Sequence, residues 1–303
     1  EGQQLLIFSG DALIVLPKLI EQYKAEHVFR SLHPAYDEQQ QWQWLQDNND
    51  QLPSAHSIQW HELDNLSLIN QHDISKLTHI DIEQRHSNPT LQAFIPSFSK
   101  FRRLVETAIK KQQFIIDEPL IEKYALPKPV ALSPSNYPQL AEDWVSDIDT
   151  ALELQASDND TATEETFYGG EPSALAHLQH YFSDQRAHQY KSVRNALGGW
   201  QNSTKFSAWL ANGSLSARQV IAALHYFEQQ HERSDSSYWI FFEILWREYF
   251  FWYALIYQHK LFRFSGIDNR RPLSSFYPDR FKCWTDGNTP YPLVNACMTQ
   301  LNK

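Results

Sequence analysis

Residues 236–257 read SSYWIFFEILWREYFFWYALIY, with apolar side chains on nearly every side of a helical projection. Such a segment predicts a central helix enclosed by protein on all sides. Only Glu243, Arg247 and Glu248 interrupt it, and Glu243, Trp246 and Arg247 fall at i, i+3 and i+4 on one face. An acid and a base in an enclosed helix admit two readings. One is a structural ion pair that fixes the helix, in which loss of one partner costs about 3–5 kcal/mol. The other is a pocket for a charged ligand, floored by the helix, with Trp246 as a stacking surface.

The first third of the chain has a different rhythm. Residues 5–8 read as a short buried strand, 12–23 as a helix and 25–29 as a second strand. Strand, turn, helix, strand predicts a βαβ unit and hence a parallel sheet. A second helix is expected over 37–45, with Trp42 and Leu45 inward, and a third strand over 57–60. No glycine-rich phosphate fingerprint follows these strands, which argues against a dinucleotide there. Residues 65–89 are polar without clear period and read as a long excursion. Residues 98–112 form an amphipathic helix with Phe98, Phe101, Val105 and Ile109 on one side. Its Lys100, Arg102, Arg103, Lys110 and Lys111 read as a solvated face.

Five prolines between 119 and 138, then an acidic Ser/Thr/Asp-rich stretch over 143–166, predict a linker. From Gly169 the pattern is helical: 172–182, 185–195, 206–210 closed by Gly213, and 217–229 opened by a Ser216/Gln219 capping box. A last helix starts at 294–301. The organisation predicted is an α/β domain over 1–118, a linker over 119–168 and an all-α domain over 169–303.

A net charge of -10 argues against nucleic-acid binding over the whole surface but leaves room for a local basic patch. Two cysteines, Cys283 and Cys297, make no disulfide framework and fit a reducing, cytoplasmic setting. Charges interrupt the best apolar run, so no membrane span is expected. The one methionine is Met298 and the chain opens Glu1-Gly2-Gln3, so excision from a longer chain is expected. His177 and His180 lie at i, i+3 without a third ligand and read as surface or packing residues, so no metal site is expected.

The chemistry-bearing stretch is Ser203-Thr204-Lys205-Phe206-Ser207. A hydroxyl-rich loop at a helix start offers backbone N–H and side-chain O–H groups to phosphate, although serine and threonine are also ordinary N-caps. Tyr190 and Arg194 precede it at helical spacing, and the Glu243/Trp246/Arg247 face follows.

The runs GGEPSALAHLQHYF, YKSVRN, STKFSAWLANGSLSAR, SSYWIFFEILWREYF and TPYPLVNACM together resemble the flavin-binding helical domain of the cryptochrome/photolyase family. The opening Gly169-Gly170-Glu171 and the Tyr-Trp before the central helix are most similar to the DASH-type cryptochromes. Residues 1 to about 115 resemble part of that family's N-terminal α/β domain, with FIPSFSKFRRLVE as its last helix. The resemblance implies FAD as cofactor, with a folate antenna (methenyltetrahydrofolate) as a possible second chromophore. It implies that Tyr190, Ser203, Thr204, Lys205, Phe206 and Ser207 hold the flavin phosphates and ribityl chain, and that Arg247 contacts a flavin phosphate. Glu243 then hydrogen-bonds a pyrimidine dimer that stacks on Trp246, and Arg194 meets a DNA phosphate. The implied activity is light-driven repair of cyclobutane dimers, favoured in single-stranded DNA, by a monomer. A photoreceptor or nucleic-acid-binding flavoprotein without repair, and a partial chain without complete flavin binding, are the alternatives. Asn295 stands where the family has Asp, Pro290 where it has Gly, and Ser274 in place of a Trp upstream of Trp284.

Overall fold

The computed structural model describes residue 8 and residues 10–49, 58–82, 94–113, 116 and 167–302. It divides the chain into two compact units, Glu1–Gln258 and His259–Lys303.

In the first unit, Asp11 opens helix α1 (Ala12–Tyr23) by accepting from the Leu13 N–H at 2.9 Å, and Lys24 closes it in the left-handed region. Strand β1 (His27–Ser31), helix α2 (Tyr36–Asp47) and strand β2 (Gln59–Leu63) follow. The two strands pair in parallel, with Phe29 opposite His61, and α2 is the crossover that parallel pairing requires. The expected parallel sheet is therefore present, in the pairing of the second and third predicted strands. The strands sit about two residues later than their apolar runs suggested, and the central pair Phe29 and His61 stack at 4.4 Å on one face. Of the strand expected over 5–8, only residue 8 is described, and of the linker expected over 119–168, only 167 and 168.

The stretch after β2 is not a polar excursion as far as residue 82. It carries helix α3 (Gln71–Thr78), capped by Asn70, and buries Leu68, Ile69, Ile74, Ile80 and Ile82. Its apolar residues lie in pairs outside a helix of eight residues, so neither helical nor strand periodicity could show them. Helix α4 (Phe98–Lys110) then lays Phe98, Phe101, Val105 and Ala108 into the core.

The helical part begins with α5 (Glu171–Ser183) and a single turn, Arg186–His188, then α6 (Tyr190–Val193) and α7 (Ser207–Asn212), which Gly213 ends at φ 79°. The Ser216/Gln219 capping box is present and opens α8 (Ala217–His231). A second one, Ser234/Ser237, opens α9 (Asp235–Tyr257). Helix α9 runs through the middle of a single core that also takes in α3, α4, α5 and α8. The stretch after β2, α3 and α4 thus share one apolar interior with the helical part, while Ile20 and Ile58 form a small separate cluster against the strands.

The second unit holds α10 (Pro278–Thr285) and α11 (Pro292–Leu301), each opened by proline in its first turn. Asn295 Oδ1 accepts from the Thr289 N–H and O–H, and its Nδ2 donates to the Thr289 carbonyl, each at 2.7 Å. An aspartate there could not make the last bond. Gly287, at φ 65°, turns the chain so close to Asn295 that a Cβ would lie 3.1 Å from its carbonyl oxygen. Among the described residues, no helix is long and apolar enough to cross a membrane.

Candidate functional site

Ile240, Glu243, Ile244 and Arg247 repeat at helical spacing along one face of α9. That face forms a wall of a cavity of about 330 Å³. Tyr190, Thr204, Phe206 and Ser207 line the same cavity. The bond from Lys191 N to Ser236 Oγ (3.3 Å) and the Lys191–Asp235 ion pair (2.8 Å) pin α6, and with it Tyr190, to the start of α9. Phe206 fixes the loop from below, buried against Tyr181, Phe182 and His177. Lys205 lies in the left-handed region at φ 59°, which turns its side chain away so that Nζ sits 5.3 Å from the Trp200 ring centroid. Ser203 Oγ accepts from the Lys205 N–H at 3.3 Å. Neither Ser203 nor Lys205 lines the cavity.

The two charges of α9 are not each other's partners. Glu243 Oε1 lies 2.7 Å from Arg194 Nη2, an ion pair without the alignment of a hydrogen bond, so this buried oxygen keeps an unused acceptor site. Arg194 is itself held with its guanidinium 4.4 Å from the Trp239 ring centroid. Arg247 donates from Nη1 to the Leu66 carbonyl at 2.9 Å and from Nη2 to the Leu210 carbonyl at 3.4 Å. It therefore ties the loop after β2 to α7, and it also borders a second cavity of about 400 Å³ near Ser31, His33 and Asn65. Burial lowers the Arg247 pKa from its very high ordinary value, and the charge of Glu248 opposes that shift. Burial, followed by the nearby Glu243 charge, raises the Tyr190 phenol, which stays protonated and able to donate.

Trp246 is placed elsewhere. Its ring stacks on Phe98 of α4, with centroids 3.7 Å apart and planes at 13°, and lies 5.4 Å from Phe250. It is not a wall of the cavity that holds Glu243 and Arg247.

Two residues without a predicted site role prove structural to this region. His177 Nε2 lies 2.9 Å from the Thr204 carbonyl, a contact in which the imidazole must donate. Burial holds its pKa below the ordinary imidazole value, so the ring is neutral near pH 7. Glu248 is fully buried, and its carboxylate accepts from the backbone N–H of Leu68 (2.7 Å) and Ile69 (3.0 Å) and from the Trp252 indole (2.6 Å). The signal for Glu248 was its position in an apolar helix; its partners, far upstream in the sequence, were invisible there.

The donor set fits part of a phosphate- and polyol-bearing cofactor. It comprises the hydroxyls of Tyr190, Thr204 and Ser207 and the Arg247 guanidinium, facing an acid with an unused acceptor site. No family model matches the chain. A curated relative from Idiomarina loihiensis named Cryptochrome DASH is 39% identical over 302 residues, covering 99% of this chain and 58% of the relative. Another, named Cryptochrome DASH from Vibrio parahaemolyticus, is 57% identical over 136 residues, 45% of this chain and 31% of the relative. The crystal structure of a cryptochrome from Synechocystis sp. superposes with a TM-score of 0.73 at 28% identity, over 99% of this chain and 56% of that one. A class III photolyase from Agrobacterium tumefaciens, at 22% identity and a TM-score of 0.56, shares the fold. The α/β-plus-helical fold is that of photolyase-type proteins, and nearly the whole chain is similar to members of the cryptochrome/photolyase family. Within that family it is most like the DASH-type cryptochromes. It spans a little over half the length of the relatives that match nearly all of it.

Proposed function

We propose that the protein is an FAD-dependent, blue-light-driven enzyme that splits cyclobutane pyrimidine dimers in DNA, preferentially in single strands. The observation that carries this reading is the cavity itself. Tyr190, Thr204, Ser207 and Arg247 line it together with Glu243, whose buried oxygen makes no hydrogen bond. In this reading the hydroxyls and Arg247 hold the phosphates and ribityl chain, and FAD, when bound, supplies light-driven electron transfer. The cavity's 330 Å³ suits one portion of such a ligand rather than all of it. Glu243 accepts a hydrogen bond from the damaged base, and its pair with Arg194 keeps it oriented. In this reading Arg194, its guanidinium 4.4 Å from the Trp239 ring centroid, meets a backbone phosphate. A weakly stacked lesion is cheaper to extrude into such a site than an intact base, which gives selectivity for damage. Trp246 contributes a stacking surface only if Phe98 moves aside, since the two rings are in contact.

That contact favours a second reading, a blue-light receptor or nucleic-acid-binding flavoprotein without repair, in which Trp246 is a packing residue. In either reading the protein is placed in the cytoplasm as a monomer, with a folate antenna as a further chromophore.

Purification followed by a visible spectrum and flavin release on denaturation tests the cofactor; a colourless protein that releases none overturns the reading. Replacing Glu243 by Ala is expected to lower dimer repair under blue light by about tenfold or more, the loss of one charged hydrogen bond, while flavin content changes little. Equal losses in both would assign Glu243 to structure.

A further inference from the structure

The surface between α3 and α4 carries a strip of cations. Lys76 and His79 at the end of α3 and Lys100, Arg103 and Lys111 along α4 border an open groove of about 600 Å³. No Asp or Glu lines it, and among the described residues none of these five side chains is in an ion pair. The four Lys and Arg side chains are exposed, and Arg103 uses only its Nε, on the Ser99 carbonyl at 3.2 Å. Clustering unpaired cations costs repulsion, yet here they gather on a protein whose net charge is -10. Leu104, 40% exposed, gives the groove an apolar patch beside the cations.

We infer that this groove is a docking surface for the phosphodiester backbone of a single nucleic-acid strand, separate from the cavity beside α9. From Lys100 to Lys111 the cations extend about 16 Å along the helix axis at ~1.5 Å per residue. At ~3.4 Å of rise per stacked nucleotide a strand passes about five nucleotides over that length, of which those on the near side meet the cations. A groove between neighbouring helices, whose axes pack about 8–10 Å apart, admits one strand and not a duplex. Leu104 offers a surface to a sugar or base edge. The negative charge of the remaining protein repels phosphate, so binding is confined to this strip. The inference needs neither flavin nor a damaged base and stands apart from the light-driven reading.

The test is anisotropy of a dye-labelled, undamaged oligo-dT of about 16 nucleotides, measured in the dark across a salt series. It compares the whole protein with its Lys100→Ala/Arg103→Ala variant. Both positions are exposed on α4 and alanine favours the helix, so circular dichroism should be unchanged. Each phosphate contact on a single strand contributes about 0.7 to the slope of log affinity against log salt. The double variant should therefore lose about 1.4 from that slope and bind roughly 25-fold more weakly at about 0.1 M salt, if affinities converge near 1 M. An unchanged slope would overturn the inference. So would a poly-glutamate peptide that binds the groove with the same sensitivity to the substitutions while the oligonucleotide does not, for that result assigns it to an acidic protein partner. Flavin content and repair of a dimer in a dinucleotide, too short to reach the groove, should be the same in both proteins. If the protein releases no flavin yet shows the expected slope change, the groove stands and the light-driven reading falls.

Discussion

His177 donates to the Thr204 carbonyl and packs 5.0 Å from the Trp209 ring and 5.8 Å from Phe206, so it fixes the loop on which the proposed phosphate contacts sit. Replacing it by Ala leaves that carbonyl without its donor, at a cost of about 1–2 kcal/mol. For a chain of this size that lowers the unfolding midpoint by about 2–4 °C per kcal/mol. Flavin release should quicken along with it, and His177→Gln, which keeps a donor, should restore part of both. Thermal scans paired with flavin-fluorescence release kinetics check this, and flavin retention unchanged in the Ala variant would uncouple the histidine from the loop. The residues that face one cavity were legible because they belong to a few contiguous stretches: Tyr190, Thr204, Phe206, Ser207, Glu243 and Arg247 all line it. Ser203 and Lys205 do not, since the positive φ of Lys205 reverses which side chains point inward, and no residue pattern announces that in a lysine. Trp246 was legible as an aromatic on the Glu243 face but not as the partner of Phe98, a residue from another part of the chain.

Helix α9 is an apolar rod with polar fastenings on one side. Arg247 holds the Leu66 carbonyl while Glu248 holds the Leu68 and Ile69 N–H groups, so consecutive residues of the helix grip one short loop. Burial pushes the Glu248 carboxyl from 4.5 up to about 7, against the pull of its three donors and of Arg247. An acid whose folded pKa lies above its unfolded value binds, between those two pH values, a proton that the unfolded chain has already released. Stability from this group is therefore full below pH 4.5, falls as pH rises towards about 7, and is level above that. The fall is on the order of 3 kcal/mol at most. Urea unfolding at about pH 5 and about pH 8 measures it, and Glu248→Gln should flatten the difference. A midpoint that does not change across the window would mean instead that the three donors keep the carboxylate ionised. Elements with a strong period, α1, α4, α8 and α9, were readable within a few residues, and for α8 the Ser216/Gln219 cap with it. Helix α3 was not, because it buries a single residue, Ile74, and the loop before it is shaped by a carboxylate from a distant helix.

At the scale of the first unit, the last helix of the expected α/β part shares its buried surface with the central helix of the helical part. Phe98 shows this. It belongs to the last helix of the α/β part, yet its ring meets Phe242, Trp246 and Tyr249 of α9 at centroid distances of 5.0, 3.7 and 6.0 Å. Tyr238 of α9 donates its hydroxyl to Glu106 of α4, and Tyr249 donates to the Ile95 carbonyl at 3.0 Å. A joint of this kind transmits unfolding from one side to the other, because neither side keeps a complete core once the other opens. Phe98→Ala removes a buried aromatic from that joint and should destabilise the unit by about 3–5 kcal/mol. The informative readout is where the loss falls. Hydrogen exchange should rise together in peptides from β1, β2 and α4 and in peptides from α8 and α9, with a single thermal transition for all of them. Two separated transitions, with the helical peptides keeping their protection, would show that the two parts fold independently and that Phe98 serves its own side alone. The same substitution uncovers the Trp246 ring, so it also bears on the proposed chemistry. If that tryptophan can receive a damaged base, affinity for a dimer-containing strand should hold or rise even as stability falls, whereas a purely packing role predicts that both decline.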